Sequence, residues 1–241
     1  GSAARGRDAG AEIILLTEED YEPYERPPLS KAVLTGKATP QDAPIAGPKG
    51  VTGFAITLRR QARVTEIDRA ARAVTIAGGE RIAYDALVLA TGALNRILPM
   101  FPPGLGVHYL RNAAEALALK AHLHRAKTLL VIGGGLIGLE VAASAAEIGV
   151  KTTVIEIAPR ILARVCDEET SAFVHERHRA HGVDIRLGAA AAGVQMLPDG
   201  RHAVAMAAGE TLTADLIVVG AGAVPNDALA KAAGLAVQDG I

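Results

Sequence analysis

Apolar residues along this chain fall into two strand rhythms and one helical one. Continuous apolar runs at residues 12–16, 85–89, Thr128–Ile132, 151–155 and Leu216–Val219 read as strands buried on both faces. Shorter β-like stretches at 56–58, 64–67, Ala73–Ile76 and Arg81–Ala83 follow one another closely, with Gly78-Gly79 as a hairpin turn between the last two. A second hairpin is predicted where Asp199-Gly200 separates 195–197 from 203–207. Helix formers dominate 112–125, 139–148 and 167–181, and Gly149 and Gly182 stand where helix-ending glycines belong. Asp184–Leu187 reads as a further strand. Pro27 and Pro28 forbid a helix through 21–31, and Ser30 or the prolines are placed to start one at 31–34. Residues 35–53 read as loop, and 98–106, bearing Pro and Gly, as a linker. The order β-α-β-α-β, hairpin, β makes an α/β domain of 104–222.

One junction in that order carries chemistry. The strand Thr128–Ile132 runs into Gly133-Gly134-Gly135-Leu136-Ile137-Gly138, which fits G-x-G-x-x-G at Gly133, Gly135 and Gly138. Strand before, helix after and a second strand closing on Glu156 are the context that makes this motif a dinucleotide site. Gly133 permits the tight turn, Gly135 removes a Cβ from the path of a pyrophosphate, and Gly138 lets helix and strand pack closely. Free N–H groups at the helix start attract the phosphates. Glu156 accepts from the adenosine ribose hydroxyls and repels a 2′-phosphate, so NADH is expected rather than NADPH. Arg160 lies near in sequence but not beside the acid.

Composition narrows the classes. The 241 residues are half hydrophobic with 3% aromatics and a formal net charge of −1. That disfavours a base-stacking nucleic-acid surface or a global field toward phosphates. No uninterrupted apolar stretch is long enough to span a membrane. The single cysteine, Cys166, allows no internal disulfide and fits a reducing cytoplasm.

Several segments, in order, resemble the FAD-dependent pyridine-nucleotide oxidoreductases. They are YERPPLSK (24–31), ARVTEID (62–68), LVLATGALNR (87–96), VHYLRN (107–112), the glycine motif, EIAPRIL (156–162) and VVGAGAVPN (218–226). PPLSK with the YLR segment points to the branch of NADH-dependent ferredoxin, putidaredoxin and rubredoxin reductases. The resemblance implies an α/β fold of two Rossmann-like, glutathione-reductase-type domains. The NADH domain (104–222) would be inserted into an FAD domain (1–103 and 223–241). Electrons would pass from NADH through FAD to a small iron–sulfur protein of the ferredoxin or rubredoxin type, serving an oxygenase in the cytoplasm. Lys31 would lie by the flavin N5/O4 edge, and Glu140 would face Lys31 and the nicotinamide; these two would be catalytic. Glu18 would hold the FAD ribose, Val64 and Arg111 would line the flavin nucleotide, and Arg26 would reach its pyrophosphate. Thr91 and Gly92 belong to the ATG segment, and Ile137 to the NADH-binding turn. The rivals are an NADH oxidase, a nitrite-reductase-like flavoenzyme and a non-catalytic NADH-binding module.

The chain departs from that pattern at its ends. Only GSAARGRDAGA precedes residue 12, where the family opens with a glycine motif for FAD, and the family's Gly-Asp segment and C-terminal interface domain are absent. The expectation is a piece of a longer protein that holds flavin poorly alone. His175, His178 and His181 are read as a helix face rather than metal ligands. Cys166 lacks the partner a redox pair needs. Arg59, Arg60, Arg63, Arg69 and Arg72 are read as a solvated sheet edge rather than a dock for an acidic ferredoxin.

Overall fold

Most of the continuous apolar runs become neighbouring parallel strands. The computed structural model describes residues 2–241, which divide into two compact units. One comprises residues 2–25, Gln41–Leu94 and Val224–Ile241; the other comprises Arg26–Pro40 and Asn95–Ala223. The segment Arg26–Pro40 thus groups with the nucleotide-motif unit, whereas sequence reasoning gave it to the first domain.

The first unit contains α1 (Ser2–Arg7) and two parallel strands, β1 (Ile14–Leu16) and β2 (Thr57–Arg59). It also holds an antiparallel meander of β3 (Val64–Asp68), β4 (Ala73–Ile76) and β5 (Arg81–Ala83), against which α5 (Ala228–Ala232) packs beside β3. Gly78 and Gly79 both adopt positive φ between β4 and β5, as the hairpin requires. The expected strand at 85–89 does not form, and Val88 is 87% exposed. An apolar run becomes a strand only when another backbone offers it hydrogen bonds, and none of the described residues does so here. Ala93–Asn95 (β6) and Ala223–Pro225 (β15) pair where the chain passes from one unit to the other.

The second unit is built on a five-stranded parallel sheet. Its strands are β7 (Val107–His108), β8 (Thr128–Ile132), β9 (Lys151–Glu156), β10 (Asp184–Leu187) and β14 (Leu216–Val219), in the order β10-β9-β8-β14-β7. Helix α2 (Ala113–Leu123) follows β7, α3 (Leu136–Glu147) links β8 to β9, and α4 (Glu168–Ala180) links β9 to β10. An antiparallel meander, β11 (Ala191–Met196), β12 (His202–Met206) and β13 (Thr211–Ala214), lays Val204, Met206 and Ala214 against Leu130, Ile132, Ile217 and Val219 of the parallel sheet. The strand β13 was not foreseen in the sequence.

Caps set the helix limits. α2 begins in a capping box, with the Asn112 side chain on the Glu115 N–H and the Glu115 carboxylate on the Asn112 N–H. Asp167 caps α4 through the Thr170 N–H at 2.8 Å. α3 ends as Gly149 donates to Ala146 O and Val150 to Ala145 O, with Gly149 at φ +84°. That paired pattern needs a left-handed residue, which glycine supplies without strain. The supposed linker 98–106 is instead part of this unit. Phe101 is fully buried, and the Tyr109 hydroxyl ties the segment down by donating to Phe101 O and accepting from Leu98 N–H. The expected helix at 31–34 is replaced by a 3-10 turn at Pro27–Ser30 followed by non-helical turns, with Lys31 at φ −121°, ψ −103°.

Candidate functional site

The glycine turn between β8 and α3 is shaped by close contacts. A Cβ on Gly138 would sit 2.1 Å from Gly133 O, and one on Gly133, at φ +107°, 2.7 Å from Gly220 O. Backbone cannot yield to either. Gly135 faces open space, so a Cβ there would clash with nothing of the protein and would stand in the way of a ligand. Gly135 is also the N-cap of α3, and it offers no side chain to the first N–H groups of the helix. Those donors and the helix dipole are therefore directed at whatever occupies the turn. Ile137, on the first turn of α3, is 42% exposed.

At the end of β9, the Glu156 carboxylate accepts the Gly134 N–H at 2.6 Å through one oxygen and the Ala158 N–H at 2.8 Å through the other. Both oxygens are fixed beside the glycine turn, and their remaining lone pairs are left to accept from hydroxyl donors. Arg160 is turned to other work. Its guanidinium donates to the carbonyls of Ala163 (3.1 Å), Cys166 (2.9 Å) and Asp167 (3.3 Å), holding the loop that leads into α4.

One turn into α3, a second constellation forms. Glu140 Oε1 lies 2.6 Å from Lys31 Nζ, and Glu140 Oε2 accepts from the Ser30 hydroxyl. The Ser30 carbonyl in turn accepts from Ser144 Oγ at 2.7 Å. Pro27 and Pro28 start the 3-10 turn that presents Ser30 and Lys31, and Leu29 anchors it by burial. The Lys31 side chain is about half exposed and Glu140 less so. Sequence reasoning overlooked Ser30 and Ser144. The available signal was spacing: Glu140 and Ser144 are four apart on one helix face, as residues that meet a common partner must be.

The other predicted residues lie as follows. In the second unit Arg26 donates to the Arg111 carbonyl. In the first, Glu18 follows β1 as Glu156 ends β9, and is exposed 3.9 Å from Arg63. Val64 begins β3. Thr91 Oγ1 donates to Asn226 O, and Gly92 takes φ +66°. The arginines 59, 60 and 63 each pair with a carboxylate, of Glu80, Asp20 and Glu18 respectively. His178 is held between Val174 O and Leu139 O.

Away from the turn, a cavity of about 300 Å³ lies between β7 and α2. His108 and His122 line it with Ile97, Leu105 and Val107, and their rings share a 2.8 Å hydrogen bond. Burial lowers the His108 pKa to about 4, with further lowering from the charges of His122 and His202. Among the described residues no helix is long and apolar enough to cross a membrane.

The pattern for pyridine nucleotide-disulphide oxidoreductases matches residues 1–241. The chain belongs to that family. It is 42% identical over 233 residues to rhodocoxin reductase of Rhodococcus erythropolis, covering 95% of this chain and 54% of the relative. It is 40% identical to putidaredoxin reductase of Pseudomonas putida, covering 95% of this chain and 56% of the relative. The crystal structure of a covalent putidaredoxin reductase–putidaredoxin complex superposes with a TM-score of 0.91 at 38% identity, over 100% of this chain and 60% of that one. The chain thus spans little more than half the length of these family members. The expected fold class, α/β of the kind seen in the solved reductases, is the one observed.

Proposed function

We propose that the protein to which this chain belongs is an NADH-dependent, FAD-containing reductase that passes electrons to a small iron–sulfur protein of the ferredoxin or rubredoxin type, serving an oxygenase. The observation that carries this reading is the Lys31–Glu140 pair at 2.6 Å. It joins the PPLSK turn to the residue two places beyond the dinucleotide motif, so one carboxylate would serve both nucleotide and redox chemistry. Relatives named for rhodocoxin, putidaredoxin and rubredoxin support the class of acceptor. A cytoplasmic location belongs to the same proposal, supported by the single cysteine.

The residues present fit a dinucleotide. Gly133, Gly135, Ile137 and Gly138 would hold its pyrophosphate, and Glu156 its adenosine ribose. Arg160 is committed to three carbonyls, so its guanidinium is not turned to offset the repulsion between Glu156 and a 2′-phosphate. NADH is the coenzyme this favours. For FAD, Glu18 would take the ribose, Val64, Thr91, Gly92 and Arg111 would line the nucleotide, and Arg26 would take the pyrophosphate. When bound, the flavin accepts a hydride and releases electrons singly. Lys31 would place a positive charge where reduced flavin gathers negative charge. Glu140 would keep that ammonium oriented and border the nicotinamide.

The full-length protein, purified with flavin, should reduce ferricyanide with NADH and reduce cytochrome c only when a ferredoxin or rubredoxin is added. Rapid peroxide or water formation from oxygen, without stimulation by an iron–sulfur protein, would instead identify an oxidase. NADH binding with no turnover of any acceptor would identify a binding module.

A further inference from the structure

We propose that Ser30 is a positioning residue for the redox pair, and that Ser144 fixes Ser30 in place. This rests on the assignment of Lys31 and Glu140 to the redox site. A carboxylate on a helix can rotate about its last two torsions, and a single half-exposed lysine holds it weakly, because solvent screens an exposed ion pair. Here Glu140 has a second donor. Ser30 Oγ occupies Oε2, which leaves Oε1 for Lys31 Nζ at 2.6 Å. Ser30 is 1% exposed, so water does not compete for that bond. Its hydroxyl has one proton and two acceptors in reach, Glu140 and, at 3.3 Å, Pro27 O; the charged and nearer carboxylate takes it.

The serine is itself immobilised. Ser144, also buried, donates to the Ser30 carbonyl at 2.7 Å, one turn along α3 from Glu140. The helix thus grips the turn at two points, through an acceptor at Glu140 and a donor at Ser144. Lys31 Nζ adds a 3.3 Å bond to Pro27 O, within the same turn. Of its three N–H groups, two point to Glu140 and Pro27, and the third is left for a ligand. Loss of the Ser30 hydroxyl would free Glu140 to swing and would carry the ammonium with it. Misplacement of about 1 Å costs on the order of 10²-fold when geometry limits a reaction.

The test uses the flavin-loaded full-length protein with Ser30→Ala, Ser144→Ala, Glu140→Gln and the double variant Ser30→Ala/Glu140→Gln. Three quantities are measured: kcat with NADH and ferricyanide, the dissociation constant for NADH, and the midpoint potential of the bound flavin. Ser30→Ala is expected to lower kcat about tenfold, with NADH affinity changed less than twofold. It should move the potential in the same direction as Glu140→Gln. In the Glu140→Gln background, removing Ser30 should change kcat less than twofold, because the group it positions is gone. Ser144→Ala keeps both reacting partners and should give a smaller loss of the same kind; it serves if Ser30→Ala does not fold. Parent-like kcat and potential in the serine variants, with Glu140→Gln impaired, would overturn the positioning role alone. So would losses that simply multiply in the double variant. If the parent protein neither binds flavin nor oxidises NADH, the redox assignment fails instead.

Discussion

Glu156 and Gly134 are joined by a 2.6 Å hydrogen bond from the backbone N–H of the glycine to a carboxylate oxygen. The acid that would read the coenzyme's ribose is therefore clamped by the turn that would hold its phosphates. Replacing Glu156 by Gln should weaken NADH binding by about tenfold or more, since hydrogen bonds to a charged group contribute roughly 1.5–3 kcal/mol. Preference for NADH over NADPH should shrink in the same variant. Fluorescence titration with each coenzyme measures both, and unchanged selectivity would remove Glu156 from this role.

Gly138 has less freedom than any neighbour. With a Cβ 2.1 Å from Gly133 O, Gly138→Ala must push α3 off β8. The expected outcome is a stability loss of ~1–3 kcal/mol, with NADH affinity lowered at least tenfold. Urea unfolding and coenzyme titration on the same sample check the pair of effects.

Asp215 staples the start of β14 to the start of β8. Its carboxylate accepts from Lys127 N–H and Thr128 N–H at 2.8 Å each, and from Thr128 Oγ1 at 3.0 Å. Burial pushes its pKa up, but those hydrogen bonds outweigh it, and the net pKa lies below the ordinary carboxylate value. Its contribution is therefore complete above the unfolded pKa, about 4, and is lost as pH falls through the lower folded value. Asp215→Ala should cost ~1–2 kcal/mol at neutral pH: water can replace the carboxylate at the exposed Lys127 N–H, but the part-buried Thr128 N–H and hydroxyl lose their partner. Thermal unfolding at pH 7 would reveal it.

His108 gives a second pH signature, at higher pH. Its folded pKa of about 4 lies below the ordinary 6.5. Between those values the unfolded chain binds the extra proton, so stability is full above about pH 6.5 and declines as pH falls toward about 4. With partial solvent exposure taken into account, the decline is ~1–2 kcal/mol. Comparing urea midpoints of the parent and His108→Gln at pH 7 and pH 5 isolates it. The variant should lose less stability between the two.

Local signals were the readable ones. The strand–turn–helix at Thr128–Glu147, the glycine caps and the Asp199-Gly200 hairpin each depend on residues close in sequence, and they lie close to where pattern places them. The run at 85–89 carries an equally strong apolar signal, yet it is no strand, because pairing depends on a distant backbone. Ser30 fails to announce itself for the same reason. Its contact with Glu140 spans 110 residues, and within PPLSK a serine reads equally well as a helix cap. β13, Thr211–Ala214, has only Leu212 and Ala214 as apolar markers and was invisible until β12 supplied its neighbour.

The attachment of Arg160 to Ala163, Cys166 and Asp167 makes coenzyme choice hard to reverse. Neutralising the acid at the end of β9 would remove a repulsion without supplying an attraction, and the Arg160 guanidinium cannot be recruited without releasing the loop before α4. If Glu156 reads the ribose as proposed, a change from NADH to NADPH would need at least two substitutions, of which the first alone would confer indifference. Redesign and natural drift alike must cross that valley.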